Sequence, residues 1–241
     1  MSYLIHKIRE RANLSSGTLF HFTKSDSILK SILKDGFKTK RVFEKLPKNK
    51  IFYSAHMVCF CDIPLGLVKH HLKWYGRYGI GLKAEFLKSN SVSPVTYIHS
   101  KTKHLSVTKK NLEGNPITPY LKQVYGYVFA HTEGEENKPP AKKGKKFYDE
   151  REWRFINSNE EIRISDYDTI YDLEKWSSNE QDLKDAFLVS NLDDIEYIIV
   201  RDEKDIDGLI QFFPELKSRK RYNRERLISK IITSKQIEKD F

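Results

Sequence analysis

The sequence is poor in several features that would place it quickly. Its 241 residues include two cysteines, Cys59 and Cys61. Two thiols without a second Cys/His pair at finger spacing exclude an ordinary structural zinc site. Two so close in one strand are not expected to pair, so a reduced, cytoplasmic protein is the expectation. No run of about 18 apolar residues occurs, so no transmembrane helix and no membrane partner is expected. The first residues, MSYLIHKIRERANLSS, lack an apolar stretch with a cleavage site, so no secretory signal is read. No Gly-x-Gly-x-x-Gly run is present, which removes a Rossmann-type dinucleotide site. There is no internal repeat. At 39% hydrophobic and 32% charged the chain is wetter than average, yet 12% aromatics can still nucleate a core, which argues against disorder.

What is present is charge, unevenly placed. The formal net charge is +10. Residues 159–207 hold 16 acidic and five basic side chains, while the rest of the chain holds 38 basic and 17 acidic. Basic clusters lie at 38–50, 138–146 and 217–235. The last packs Lys217, Arg219, Lys220, Arg221, Arg224 and Arg226 into ten residues. Such a cluster attracts phosphates, most simply a nucleic acid, and equally describes a solvated lysine-rich surface. The chain is read as one domain over 1–241, with an acidic insertion at about 159–207 and a basic carboxy-terminal segment at about 217–235.

Periodicity predicts a short amphipathic helix over 3–13, a strand over 18–23 (TLFHFT) and a helix over 25–35. Ser25 is the predicted N-cap and Gly36 the stop. A strand is predicted over 51–61, then a helix from Pro64 to about Tyr75, ended by Gly76. Further strands are expected at 79–86 and, with Pro94, at 92–98. Residues 116–130 read as a buried helix and 132–146 as an exposed loop. FYDEREWRFI, 147–156, reads as a strand. IEYIIV (195–200), a helix over 203–213 and LISKIIT (227–233) read as strand–helix–strand.

Three places carry candidate chemistry. His21 lies inside an aromatic strand, on the face opposite Phe20 and Phe22, and is read either as a functional group or as a core histidine bonded to a backbone carbonyl. His70 and His71 are neighbours on a helix and splay apart, so one metal is poorly served and none is expected. Tyr75, Arg77 and Tyr78 suit a flat or phosphorylated ligand, the rings by stacking and the guanidinium by pairing with phosphate. In FYDEREWRFI a strand puts Glu150, Glu152 and Arg154 on one face and Trp153 and Phe155 on the core face. That face is read either as an exposed charge ladder or as a carboxylate placed for electrostatic catalysis.

The order HFT, ILKDGF, MVCFCDIPL, HHLKWYGRYGIGLK, PVTYI and FYDEREWRF, over roughly 18–157, resembles the AbiGi family of bacterial abortive-infection proteins. More distantly it is similar to the ADP-ribosyltransferase superfamily. That resemblance implies an α+β fold with a split mixed β-sheet core and flanking helices. It implies NAD as substrate, with no metal. His21 and Thr23 would stand at the first-strand position, Tyr75 or Tyr78 would stack on nicotinamide with Arg77 nearby, and Glu152, with Glu150 as the competing choice, would be the catalytic carboxylate. Cleaving the nicotinamide–ribose bond develops positive charge on the ribose, which a preplaced carboxylate stabilises. The AbiGi label also attaches to antitoxins. Two functions are therefore expected in competition: an NAD-using effector of phage defence, or a non-catalytic antitoxin that binds a toxin protein or, through Arg219, Lys220, Arg221, Arg224 and Arg226, nucleic acid.

Overall fold

The structure, a computed structural model, describes residues 17–45, 51–99, 101–102, 109–112, 115–126, 145–157, 163–166 and 187–240. The predicted helix at 3–13 and nearly all of the 132–146 loop lie outside them.

The strands in chain order are β1 (Thr18–Thr23), β2 (Phe37–Lys38), β3 (Lys40–Lys45), β4 (Ile51–Cys61), β5 (Tyr78–Lys83), β6 (Ser93–Pro94), β7 (Thr96–Ile98), β8 (Leu121–Gln123), β9 (Tyr125–Gly126), β10 (Lys145–Lys146), β11 (Glu152–Ile156), β12 (Arg163–Asp166), β13 (Phe187–Leu188), β14 (Ile195–Val200) and β15 (Ile231–Thr233). The helices are α1 (Asp26–Asp35), α2 (Lys69–Tyr75), α3 (Ala84–Ser89), α4 (Lys109–Leu112), α5 (Lys204–Phe212), α6 (Arg224–Ile228) and α7 (Ser234–Asp240). Among the described residues nine strands make one mixed sheet in the order β15-β14-β5-β1-β4-β11-β6, with β3 and β12 also pairing with β4. Every pairing in it is antiparallel except β14 with β15. β4 is long enough to be shared. Its carboxy-terminal half pairs with β11, and its amino-terminal half pairs with β3 and β12.

Alternation sorts the side chains into two faces. Leu19, Val58, Phe60, Ile80, Leu82, Ile198 and Val200 share one face with Leu29, Ile32 and Leu33 of α1, Leu209 of α5, and Phe213 and Leu216 beyond it. The other face is covered in two patches. Phe20, Phe22, Cys61 and Ile199 pack with Leu72 of α2 and Ile237 of α7, and further along β4 Tyr53, Ala55 and Met57 pack with Ile98, Leu112 and Leu121. The expected mixed sheet with flanking helices is thus present.

Local signals explain the first elements. The Ser25 side chain accepts the Ile28 N–H, and the Gly36 N–H closes α1 on the Ile32 carbonyl at 2.9 Å. Several elements differ from the sequence reading. The strand expected over 79–86 ends at Lys83, and α3 begins at Ala84. The helix expected over 116–130 is, where described, a 3-10 turn followed by β8 and β9, because short apolar stretches broken by proline, lysine and glycine suit buried strands as well as a buried helix. Leu227 and Ile228, expected to start the last strand, instead end the short helix α6, and β15 begins only at Ile231. The strand expected over 195–200 is present as β14: although it lies within the acidic stretch 159–207, Ile198, Ile199 and Val200 are wholly buried and the strand pairs on both sides. Cys59 and Cys61 are free thiols whose pKa burial pushes up, the character of packing groups rather than nucleophiles.

Candidate functional site

The site begins with a turn. Residues Phe147–Glu150 form a 3-10 turn, and Arg151 adopts the left-handed conformation at φ 44°. The strand expected from Phe147 therefore starts only at Glu152. From there the predicted alternation holds: Trp153 and Phe155 pack on the main core, and Glu152 and Arg154 take the other face. That other face is not an exposed ladder. Arg154 is 0% exposed, Glu150 4%, Glu152 6% and Lys122 8%.

Lys122 of β8 is the hub. Its Nζ donates to Glu150 Oε2 at 2.9 Å and to Glu152 Oε2, and lies 3.5 Å from Glu44 Oε1. The Arg154 Nε donates to Glu152 Oε1 at 2.7 Å, one terminal nitrogen donates to Glu44 Oε1 at 2.6 Å, and the other donates to the Tyr53 hydroxyl and to the Pro119 carbonyl at 2.6 Å. The Tyr75 hydroxyl donates to Glu150 Oε1, which Lys145 Nζ also meets at 2.5 Å. Three carboxylates thus face three cations.

Electrostatics follow from that geometry. Burial alone would raise the Glu152 carboxyl, but Arg154 and Lys122 outweigh it and hold it well below the usual carboxylate range. Glu150 is likewise lowered, burial being outweighed by Lys122 and Lys145. Burial would lower Lys122, and Glu152, Glu44 and Glu150 instead raise it. The Tyr75 phenol is pushed far up by burial and by the Glu150 charge. All three named charged groups are therefore ionised at neutral pH.

The structure brings only part of the predicted set together. Glu150, Glu152 and Tyr75 meet. His21 does not join them. In the β1–β4–β11 register Glu152 is level with Cys61 and Phe20, so His21 points to the opposite face. There its Nδ1 is 2.8 Å from the Cys59 carbonyl oxygen and its ring lies edge-on to Phe37 and Phe60. That is the core-histidine arrangement, and burial lowers its pKa. The Tyr78 hydroxyl donates to Asp205 at 3.0 Å on that opposite face too, and Arg77 pairs with Glu238 at 2.8 Å. Thr23 is a buried strand end. Its carbonyl oxygen would lie 2.1 Å from a Cβ on Gly76, whose φ of +114° ends α2 and sets Tyr75 in place. His71 stacks on Tyr75 at 4.7 Å, and burial lowers its pKa to about 4. Among the described residues no cluster could hold a metal.

The carboxy-terminal arginines are also partly engaged. Arg219 donates to the carbonyls of Leu33, Lys34 and Ser190 at 3.0, 2.8 and 2.5 Å. Arg221 and Arg226 each approach Asp193 at 3.6 Å. Lys220 and Arg224 are exposed. Sequence reasoning missed Lys122, Glu44 and Lys145. The available signals were a single lysine inside the apolar run 117–125 and a single acid inside the basic cluster 38–50.

A family model described as "Putative abortive phage resistance protein AbiGi, antitoxin" matches residues 30–201. The chain belongs to the AbiGi family. The matched span contains every charged residue of the network and excludes both His21 and Arg219. An AbiGi relative from Lactococcus lactis subsp. cremoris, named "Abortive phage resistance protein AbiGi", is 27% identical over 224 residues, covering 77% of this chain and 88% of the relative. No solved structure matches the chain.

Proposed function

We propose that this AbiGi protein serves anti-phage defence as an antitoxin, restraining a toxin protein by binding it rather than by turning over NAD. One observation carries this reading: all four oxygens of Glu150 and Glu152 already face internal cations or a phenol. A carboxylate that stabilises charge developing on a ribose must be unspent in that direction. The separation of His21 from Glu152 supports the same reading, as does the family description. Expressed alone, the chain leaves bacterial growth unchanged, and purified protein releases no nicotinamide from labelled NAD. Co-expressed with the toxin of its pair, it restores growth that the toxin alone arrests. Growth arrest by this chain alone overturns the reading.

A second reading, an ADP-ribosyltransferase or NAD-cleaving effector, is favoured by the convergence of Tyr75, Glu150 and Glu152 beside exposed aromatic rings. It requires nicotinamide release that Glu152→Gln abolishes.

A further inference from the structure

Beside the charge network stand three aromatic side chains that remain open to solvent: Trp74 at 43%, Tyr75 at 37% and Tyr148 at 56%. Each has a lysine at its ring. Lys145 Nζ lies 4.9 Å from the Trp74 ring centre and 4.5 Å from that of Tyr75. Lys146 Nζ lies 5.9 Å from the Tyr148 ring. Lys73, next to Trp74, is exposed. The two tyrosine rings are also fixed. Tyr148 is held edge-on by Tyr97 at 5.3 Å, and the Tyr97 hydroxyl accepts the Glu152 N–H at 2.8 Å. Tyr75 is tied to Glu150. Two of the lysines have acidic neighbours, Glu150 on Lys145 and Asp149 on Lys146 at 3.0 Å. Lys142 and Lys143 immediately precede this rim in the sequence.

Pre-positioned ring faces interleaved with cations match the chemistry of a nucleobase joined to a phosphate. Bases within a duplex hide their faces, so the rim suits unpaired bases. The 217–226 cluster offers no such platform, because Tyr222 packs against the main core and Arg219 is spent on carbonyls. The Tyr75 ring is already covered by His71 and Lys145, which leaves Trp74 and Tyr148 as the open faces. We propose that the rim of Trp74 and Tyr148 is a single-stranded nucleic-acid site, with bases on these two rings and phosphates on Lys73, Lys145 and Lys146. It is independent of the antitoxin reading and of any reaction with NAD.

The test is fluorescence anisotropy of an end-labelled oligonucleotide of about 12 nucleotides, long enough for one stacking site. It is run with the full chain, as single-stranded DNA, single-stranded RNA and the matching duplex. Either single strand binds more tightly than the duplex. Trp74→Ala and Tyr148→Ala each weaken binding about 5- to 100-fold, and Trp74→Phe, which keeps a ring face, retains most of it. Lys146→Ala lowers the slope of log affinity against log salt by roughly 0.7. All substituted side chains are exposed, and unchanged circular dichroism verifies folding. Equal binding of duplex and single strand, no binding, or aromatic variants that bind as wild type overturn the proposal. So does equal competition by polyglutamate, which would mark an acidic-protein surface instead.

Discussion

Lys122 holds three carboxylates from two separate parts of the chain, Glu44 on one side and Glu150 with Glu152 on the other. Buried ions cost several kcal/mol each in lost hydration, and only mutual pairing offsets that cost. Removing the hub leaves Glu44, Glu150 and Glu152 facing fewer cations than charges require. Lys122→Met is expected to destabilise the protein by about 3–5 kcal/mol, read as a lowered urea midpoint. Adding Glu150→Gln to it recovers part of the loss, because the two changes share one interaction. If Lys122→Met unfolds at the wild-type midpoint, the network is not what holds this region. The sequence shows why Glu152 and Arg154 share a face, since alternation along β11 demands it. It does not show Lys122 between them, because 30 residues separate Lys122 from Glu152 and neither neighbourhood marks the other. His21 is similar. Its face was legible from TLFHFT, but the Cys59 carbonyl that engages it lies 38 residues away.

At the scale of elements, what was legible had punctuation. Ser25, Asp26 and Gly36 bound α1 as capping rules require, and α2 stops at Gly76. Where punctuation was weak the reading slipped. FYDEREWRFI has no glycine or proline, so nothing local announces the left-handed Arg151 that splits it. One element-level tie could not be read from composition at all. Arg219 sits in a run of six basic residues, yet it caps the carboxy-terminal end of α1 and clamps it to Ser190. Those carbonyls sit where a helix leaves them unpaired, and a cation there is favoured. Arg219→Ala is expected to cost about 2–3 kcal/mol in thermal or urea unfolding, and Arg219→Lys to restore only part, since an ammonium lacks the planar fork. A variant with wild-type stability and weakened nucleic-acid binding would give Arg219 back the surface role its neighbours suggest.

For the whole molecule, burial of ionisable groups sets a pH window. His21 and His71 have lowered pKa values in the fold, with 6.5 as their ordinary value, so below about 6.5 the unfolded chain takes up protons that the folded one does not. Stability falls there, and the His71 share is exhausted near pH 4. Glu150 and Glu152 are lowered too, so their contribution holds above 4.5 and is lost as pH drops through their folded values. On the alkaline side Tyr53, Tyr75 and Tyr97 are raised by burial, and Lys122 is raised by its carboxylates over the cost of burial. Their contributions are complete below about 10 and decline above it. The buried thiols of Cys59 and Cys61 are raised from an ordinary 9.0, so the alkaline decline sets in before the tyrosines and Lys122 join it. Melting temperature should therefore be flat from about pH 7 to 8 and fall on both sides, with His71→Phe softening the acid shoulder. A melting temperature that rises from pH 7 to 5 would contradict this. The charge asymmetry of the sequence is partly spent inside the molecule: Asp193 draws Arg221 and Arg226, and Asp202 draws Lys235.

The network also imposes a schedule. Glu44 and Arg154 are 110 residues apart. At about 5–20 residues per second on the ribosome, the Glu44 strand emerges roughly 5–20 s before the guanidinium that will neutralise it. Until then its carboxylate stays hydrated and the face of β4 that will carry the network cannot close. Synthesis rate, and whatever the nascent chain meets during that interval, thus bear on how much of this protein reaches its finished form.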